Sequence, residues 1–253
     1  MNIILCGFGG YMGREVQKAA QKPETHMTVI GGIDPAFAGT ADVPVARSFA
    51  EAAERFPAGC ADCIIDFSHH SAVTELLEFA KNGRFPVVIA TTGHTPEELE
   101  AIHAAAEQIP VFFSANMSVG IALLVKLAKI TAAAMPGAEI EIVETHHNRK
   151  LDAPSGTAVM LANELRTVRP DSRIVEGRSG HGKREHNDIG IHSIRMGNVV
   201  GTHQVIFGTD NQTITLTHEA HDRALFADGA AAAAEFLTGK PAGLYDMHSL
   251  LAD

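Results

Sequence analysis

Short apolar runs alternate with helical periodicity through the first 117 residues of the chain. Ile3-Ile4-Leu5-Cys6 reads as a strand, the glycine-rich stretch from Gly7 to Gly13 as a turn, and Arg14–Lys22 as a helix. Met27–Ile33 is a second apolar strand that ends on Asp34. Beyond it come a helix over Ser48–Phe56, a strand over Cys63–Asp66 and a helix over Ser71–Asn82. Pro86–Ala90 then reads as a strand, Pro96–Ala106 as a helix with proline in its first turn, and Val111–Ser114 as a strand. Repeated strand–helix units predict an α/β fold with a doubly wound parallel sheet.

The pattern changes after Val119. A long apolar helix runs to Ala134, followed by a strand over Glu139–Thr145 and a helix over Gly156–Val168. Strand-like segments then follow closely at Ile189–Arg195, Thr202–Gly208 and Thr213–Glu219. Gly208-Thr209-Asp210-Asn211 predicts a hairpin between the last two. Few helices separate these segments, so this half is expected to be an inserted α+β domain on a largely antiparallel or mixed sheet. The alanine-rich helix Arg223–Thr238, stopped by Gly239-Lys240-Pro241, is expected to return to the first domain. The expected division is therefore 1–117 with 223–253 as one domain and 118–222 as the other. A sheet face with too few helices to cover it predicts association between subunits.

Composition narrows the function classes. The chain has 253 residues, 45% of them hydrophobic, and a formal net charge of −10. That balance argues against a nucleic-acid surface, which needs a basic face. No segment is apolar for long enough to span a bilayer, and MNIILCGFGG lacks the features of a signal peptide, so the cytoplasm is expected. Cys60-Ala61-Asp62-Cys63 has C-x-x-C spacing, but the third cysteine, Cys6, sits in the first strand, and packing roles are expected. The adjacent pairs His69-His70 and His146-His147 lack the i, i+4 spacing that shares a metal, and no metal is expected.

Two stretches carry candidate chemistry. The glycine turn fits G-x-G-x-x-G at Gly7 and Gly9 but has Met12 in the third glycine place; Gly7, Gly10 and Gly13 give G-x-x-G-x-x-G instead. Asp34 follows about 20 residues later, where a carboxylate accepts hydrogen bonds from an adenosine ribose. Ligands of such sheets lie beyond the carboxyl ends of the strands, which puts Gly7–Gly13, Asp34, Phe67-Ser68, Thr91-Thr92 and Ser114–Met117 on one rim. The second stretch is EIVETHHNRKLDAPSGTA, Glu141 to Ala158. It crowds His146, His147, Arg149 and Lys150 ahead of a Pro-Ser-Gly-Thr turn that opens a helix, an arrangement suited to a small dicarboxylic acid.

This second stretch fits E-[IV]-x-E-x-H-x-x-x-K-x-D-x-P-S-G-T-A at every specified position, and on it the chain resembles the 4-hydroxy-tetrahydrodipicolinate reductase (dihydrodipicolinate reductase) family of lysine and diaminopimelate biosynthesis. GFGGYMGRE, TTGHT, SANMSVG and LTGKPAGLYDM support the likeness along the whole chain. The resemblance implies a split Rossmann-like nucleotide-binding domain, an inserted substrate and tetramerisation domain, and NADH or NADPH as cofactor. It implies hydride transfer to a cyclic imine bearing two carboxylates, with Lys150 as proton donor and His146 as proton donor or acceptor. His147, Gly156 and Thr157 would hold substrate, and Thr92 would serve both ligands. Gly7, Phe8, Gly9, Gly10, Tyr11, Met12, Asp34, Ala90, Thr91, Thr92, Ser114, Ala115, Asn116 and Met117 would hold the cofactor. Glu144 and Asp152 are read as structural, a strand partner and a turn former, and Arg149 as an anion binder or a surface ion pair. Some relatives carry arginines where this chain has Tyr11 and Pro35, so NADH is expected to serve at least as well as NADPH. The rival readings are another dehydrogenase of a small dicarboxylic acid, a non-catalytic dinucleotide sensor and a metal-dependent hydrolase.

Overall fold

A computed structural model describes residues 1–23 and 25–252, so Asp253, the expected end of the first domain, lies outside the described residues. The chain divides into two compact units, Met1–Ser118 with Arg223–Asp253, and Val119–Asp222. The first is built on a seven-stranded sheet. Its chain order is β1 (Asn2–Cys6), α1 (Tyr11–Ala20), β2 (Thr28–Ile33), β3 (Val45–Ala46), α2 (Phe49–Arg55), β4 (Cys63–Asp66), α3 (Val73–Gly83), β5 (Val87–Ile89), α4 (Pro96–Ala106) and β6 (Pro110–Phe113). The second unit holds α5 (Val119–Ala134), β7 (Glu139–His146), α6 (Gly156–Val168), β8 (Arg173–Glu176), β9 (Asp188–Arg195), β10 (Gly201–Thr209) and β11 (Gln212–Ala220). The chain then completes the first unit with α7 (Ala224–Leu237), β12 (Gly243–Tyr245) and α8 (Met247–Leu250).

Every strand pair of the first sheet is parallel, in the order β12-β6-β5-β4-β1-β2-β3. The central strands β1, β4 and β5 read as continuous apolar runs because helices cover both faces, and Ile3, Ile4, Leu5, Ile64, Ile65 and Ile89 are fully buried. Cys6 and Cys63 are buried in two of these strands, and burial pushes both thiols up, away from reactive thiolate. The edge strands β3 and β12 are two and three residues long and carried no readable pattern. Helix α1 begins at Tyr11, three residues earlier than its periodicity suggested, because Gly10 is extended and caps it directly.

This early start brings the first turn of α1 against the glycine loop. A Cβ on Gly13 would stand 2.2 Å from the Gly7 carbonyl oxygen and 2.8 Å from that of Phe8, while one on Gly7, at φ +77°, would meet the Phe67 carbonyl at 2.6 Å. The close approach that G-x-G-x-x-G assigns to its third glycine is therefore made by Gly13, one residue later, with Met12 left free to face outward.

The second sheet is mixed, in the order β11-β10-β7-β9-β8: β7 runs antiparallel to β10 and parallel to β9. Asp210 and Asn211 alone separate β10 from β11, with Thr209 paired to Gln212. Helix α6 packs on β7 and β9, and α5 on β10 and β11. Between them lies a core of Ile140, Ile142, Ile189, Ile191, Val205 and Phe207 with Leu124, Leu161 and Leu165. The alternate residues of β7 and β10, among them Glu141, Val143, Gln204 and Ile206, are only half-buried.

Gly13→Ala is expected to force α1 away from β1 and to lower unfolding stability by about 1–3 kcal/mol. Urea denaturation checks this, and an unchanged midpoint would contradict the packing role.

Candidate active site

One face of the second sheet changes character along β7. Side chains two apart share a face, so the series Ile140, Ile142, Glu144, His146 starts apolar and ends polar. The neighbouring strands change at the same level: Glu144 pairs with His203 on β10 and with Ser193 on β9, and His146 pairs with Arg195 on β9. Four polar side chains from three strands thus surround a carboxylate that is itself fully buried.

Glu144 is saturated with donors. Arg195 donates from Nη2 to Oε1 at 2.7 Å and from Nη1 to Oε2 at 2.8 Å. The Ser155 backbone N–H donates to Oε1 at 3.1 Å, and His146 Nδ1 lies 2.5 Å from Oε2. Burial pushes this carboxyl up, but the hydrogen bonds from Arg195, Ser193, His146 and Ser155 outweigh it and hold the pKa at about 2. An ionised Glu144 accepts only, so His146 carries its proton on Nδ1 in this contact, and Nε2 is the nitrogen left for chemistry. Burial lowers the His146 pKa; Glu144 opposes that, and the charges of Lys150 and Arg195 add to it. A Cβ on Gly201 would lie 3.1 Å from His146 Nε2, so the glycine there keeps that nitrogen uncrowded.

The loop after β7 is stitched to the same group. Ser155 caps α6, accepting from the Ala158 N–H at 3.2 Å, and its hydroxyl meets His203 Nε2 at 3.1 Å. Arg195 also donates to the Asp152 carbonyl at 2.6 Å, and the His147 N–H donates to the Val199 carbonyl at 2.8 Å. The Ala153–Pro154 peptide bond is cis. Lys150 pairs with Asp152 at 2.8 Å, so Asp152 holds a charge as well as a turn. Arg149 donates to the Asn198 side-chain oxygen at 2.6 Å. Gly156, the first residue of α6, is exposed, and a Cβ there would meet nothing. His147 keeps a buried Nδ1 without a partner.

In the first unit the carboxyl ends of the strands form an open cleft of about 410 Å³. Of the residues predicted to hold a cofactor, Met12, Ala90, Thr91, Thr92, Ala115, Asn116 and Met117 line it. Gly7, Phe8, Gly9, Gly10, Tyr11, Asp34 and Ser114 do not. The Phe8 ring is buried, edge-on to Phe37 at 5.3 Å, and only its backbone belongs to the loop. Asp34 accepts from the Gly9 N–H at 2.8 Å and the Ala36 N–H at 2.9 Å, which ties the end of β2 to the glycine loop. No side chain caps α1 at Gly10, so its first amides have no side-chain partner at the cap. The Arg223 guanidinium stands 5.0 Å from the centre of the Tyr11 ring. Asp66, buried at the end of β4, accepts from Ser68 Oγ at 2.5 Å and Thr91 Oγ1 at 2.6 Å; burial raises its pKa against these bonds. Among the described residues no group of three or more His, Cys, Asp or Glu side chains could hold a metal ion.

These arrangements meet a clear set of relatives. A model of the dihydrodipicolinate reductase N-terminus matches residues 1–117, and one of its C-terminus matches residues 120–251. The chain belongs to the dihydrodipicolinate reductase family. It is 44% identical over 253 residues to the 4-hydroxy-tetrahydrodipicolinate reductase of Caldanaerobacter subterraneus subsp. tengcongensis, covering 99% of this chain and 98% of that protein. The enzyme of the same description from Alkaliphilus oremlandii is 39% identical, with 99% and 98% covered. Among solved structures, dipicolinate-bound dihydrodipicolinate reductase from Paenisporosarcina sp. TG-14 superposes with a TM-score of 0.82 at 26% identity, covering 98% of each chain.

For this reductase-family chain, sequence reasoning missed Arg195, His203 and Asp66. Glu144 and His146 at i and i+2 could have been read as facing the same way. Arg195 and His203 lie about 50 residues further along the chain, and only strand register brings them in.

His203 supplies a test. Burial and the charge of His146 push its pKa down from 6.5 to about 4, so the folded state favours the neutral ring. The stability this contributes is full above pH 6.5 and is lost as pH falls from 6.5 towards 4. Over that window the parent should lose up to about 1.4 kcal/mol per pH unit more than His203→Gln. Denaturation curves at a series of pH values check it; parallel losses would contradict a buried neutral His203.

Proposed function

We propose that this chain reduces 4-hydroxy-tetrahydrodipicolinate, by way of dihydrodipicolinate, to tetrahydrodipicolinate, using NADH or NADPH. The observation that carries the reading is that one carboxylate, Glu144, holds both the acid–base ring of His146 and the start of α6, in a chain whose residues 1–117 and 120–251 match the family's two halves. The substrate and cofactor come from the relatives; the roles below are read from this chain's residues. The unit Met1–Ser118 with Arg223–Asp253 is the nucleotide-binding domain, and Val119–Asp222 the substrate-binding domain.

The loop Gly7-Phe8-Gly9-Gly10-Tyr11-Met12, Asp34, Ala90-Thr91-Thr92 and Ser114-Ala115-Asn116-Met117 would hold the dinucleotide. The uncapped start of α1 suits a pyrophosphate, and the Asp34 carboxylate suits a ribose hydroxyl. When bound, the reduced nicotinamide supplies the hydride. The backbone amides at Gly156 and Thr157, with the Thr157 hydroxyl, take a substrate carboxylate at the α6 start, and His147 takes the other polar edge. Hydride addition to a conjugated imine leaves an electron-rich enamine that must gain a proton, and the Lys150 ammonium supplies it. His146 Nε2 moves protons at the same place, its ring held by Glu144. Thr92, exposed at the end of β5, positions substrate beside the cofactor cleft.

Fed substrate made in situ from pyruvate and aspartate semialdehyde by the upstream synthase, the protein should oxidise NADH rapidly. Lys150→Ala should lose about 10²-fold or more of that rate. Dinucleotide binding without turnover would favour a sensor instead. Because Asp34 repels a 2′-phosphate, and Tyr11 and Pro35 offer it no cation, kcat/KM with NADH should equal or exceed that with NADPH; a strong NADPH preference would overturn this.

The half-buried sheet face carrying Val143, Gln204 and Ile206 pairs subunits into a homotetramer in the cytoplasm. Light scattering should give four chains per particle, and a monomer would refute it.

A further inference from the structure

Resting on the reductase reading, we infer that Glu144, clamped by Arg195, is the positioning residue of the proton-transfer site: it fixes which nitrogen of His146 faces substrate and anchors the anion-binding start of α6. Two observations separate this from a mere strand contact. First, the carboxylate joins the end of β7 to the start of α6. It takes His146 Nδ1 on Oε2 and the Ser155 N–H on Oε1, so a shift of Glu144 moves the ring and the helix start together. Second, the clamp is built to hold it still. Both Arg195 terminal nitrogens bond the two oxygens in a paired geometry, and the same guanidinium reaches the carbonyl of Asp152, the residue whose carboxylate pairs with Lys150.

The logic of donors and acceptors then sets the chemistry. The N–H donors on Glu144 are the two Arg195 nitrogens, the Ser155 amide and His146 Nδ1, and the Ser193 side chain joins them. Among the N–H donors, only the histidine can become an acceptor, by moving its proton to Nε2. Replacing the carboxylate by an amide of the same size places one N–H₂ among those donors, and where it faces His146 Nδ1 a tautomer change in that ring relieves the clash. The groups facing His146 are Glu144 on its own strand, Arg195 from β9, His203 from β10 (ring centres 5.1 Å apart) and Lys150 from the loop; His218 acts on His203 in turn. Loss of the Glu144 charge leaves burial and the charges of Lys150 and Arg195, which disfavour a proton on His146, unopposed.

The test is steady-state reduction across a pH series by the parent, Glu144→Gln and Arg195→Lys, with circular dichroism to confirm folding. Glu144→Gln should lose about 10²-fold or more in kcat with KM changed less than about threefold, because the amide oxygen still accepts the Ser155 N–H that anchors the start of α6 while the proton arrangement of His146 is lost. The ionisation on the acid side of its pH profile should move to lower pH. Arg195→Lys keeps a positive charge but loses the paired bonds; it should lose about tenfold in kcat, and it carries the test should Glu144→Gln not fold. An active parent with folded variants that keep its kcat and pH profile overturns the proposal alone. A parent with no turnover overturns the reductase reading, and the proposal falls with it.

Discussion

Four N–H groups converge on the two oxygens of Glu144, and much of the second unit's architecture is arranged to deliver them. Three strands must be in register for His146, Arg195, Ser193 and His203 to reach the same level of one face, and α6 must dock on that face for Ser155 to add its amide. The apolar half of the sheet provides that docking: Ile140, Ile142, Ile191 and Val205 pack beneath Ala158, Leu161 and Leu165. Burial of a carboxylate is costly unless its hydrogen bonds are made, and here both oxygens accept from two N–H groups each. The hydrophobic core and the polar site are thus one construction, with the core setting the geometry that the charges need.

A different constraint governs the first unit, where backbone must approach backbone. Gly7 and Gly13 leave no room for a side chain between α1, the loop and β4, and this closeness leaves the uncapped start of α1 beside the loop's own amides. Asp34 fastens the loop to β2, and Asp66 fastens Ser68 to Thr91 across the neighbouring strand ends. Both acids work on the rim by restraining it, whatever else they contact.

The sequence was most legible where local physics dominates. Apolar runs of four to six residues announced the buried parallel strands, and the Ser155-Gly156-Thr157 turn announced α6, because burial and capping leave a direct trace in residue order. Short edge strands such as β3 and β8 left none. The signature located His146 and Lys150, yet Glu144 read as an ordinary strand residue, since its importance depends on Arg195 and His203, which enter from other strands through register. Arg149, read by its charge as an anion binder or an ion pair, also has a neutral partner that the fold alone supplies, the Asn198 amide. Residue type reports what a group can do, and tertiary contact decides what it is placed to do.

The central claim is that an ionised Glu144 dictates the proton arrangement of His146, and the most direct measurement is the ¹⁵N NMR signature of that ring in the ligand-free protein near neutral pH. The account predicts a neutral imidazole with hydrogen on Nδ1 and a bare Nε2. A ring carrying its proton on Nε2, or one averaging rapidly between the two tautomers, would contradict it.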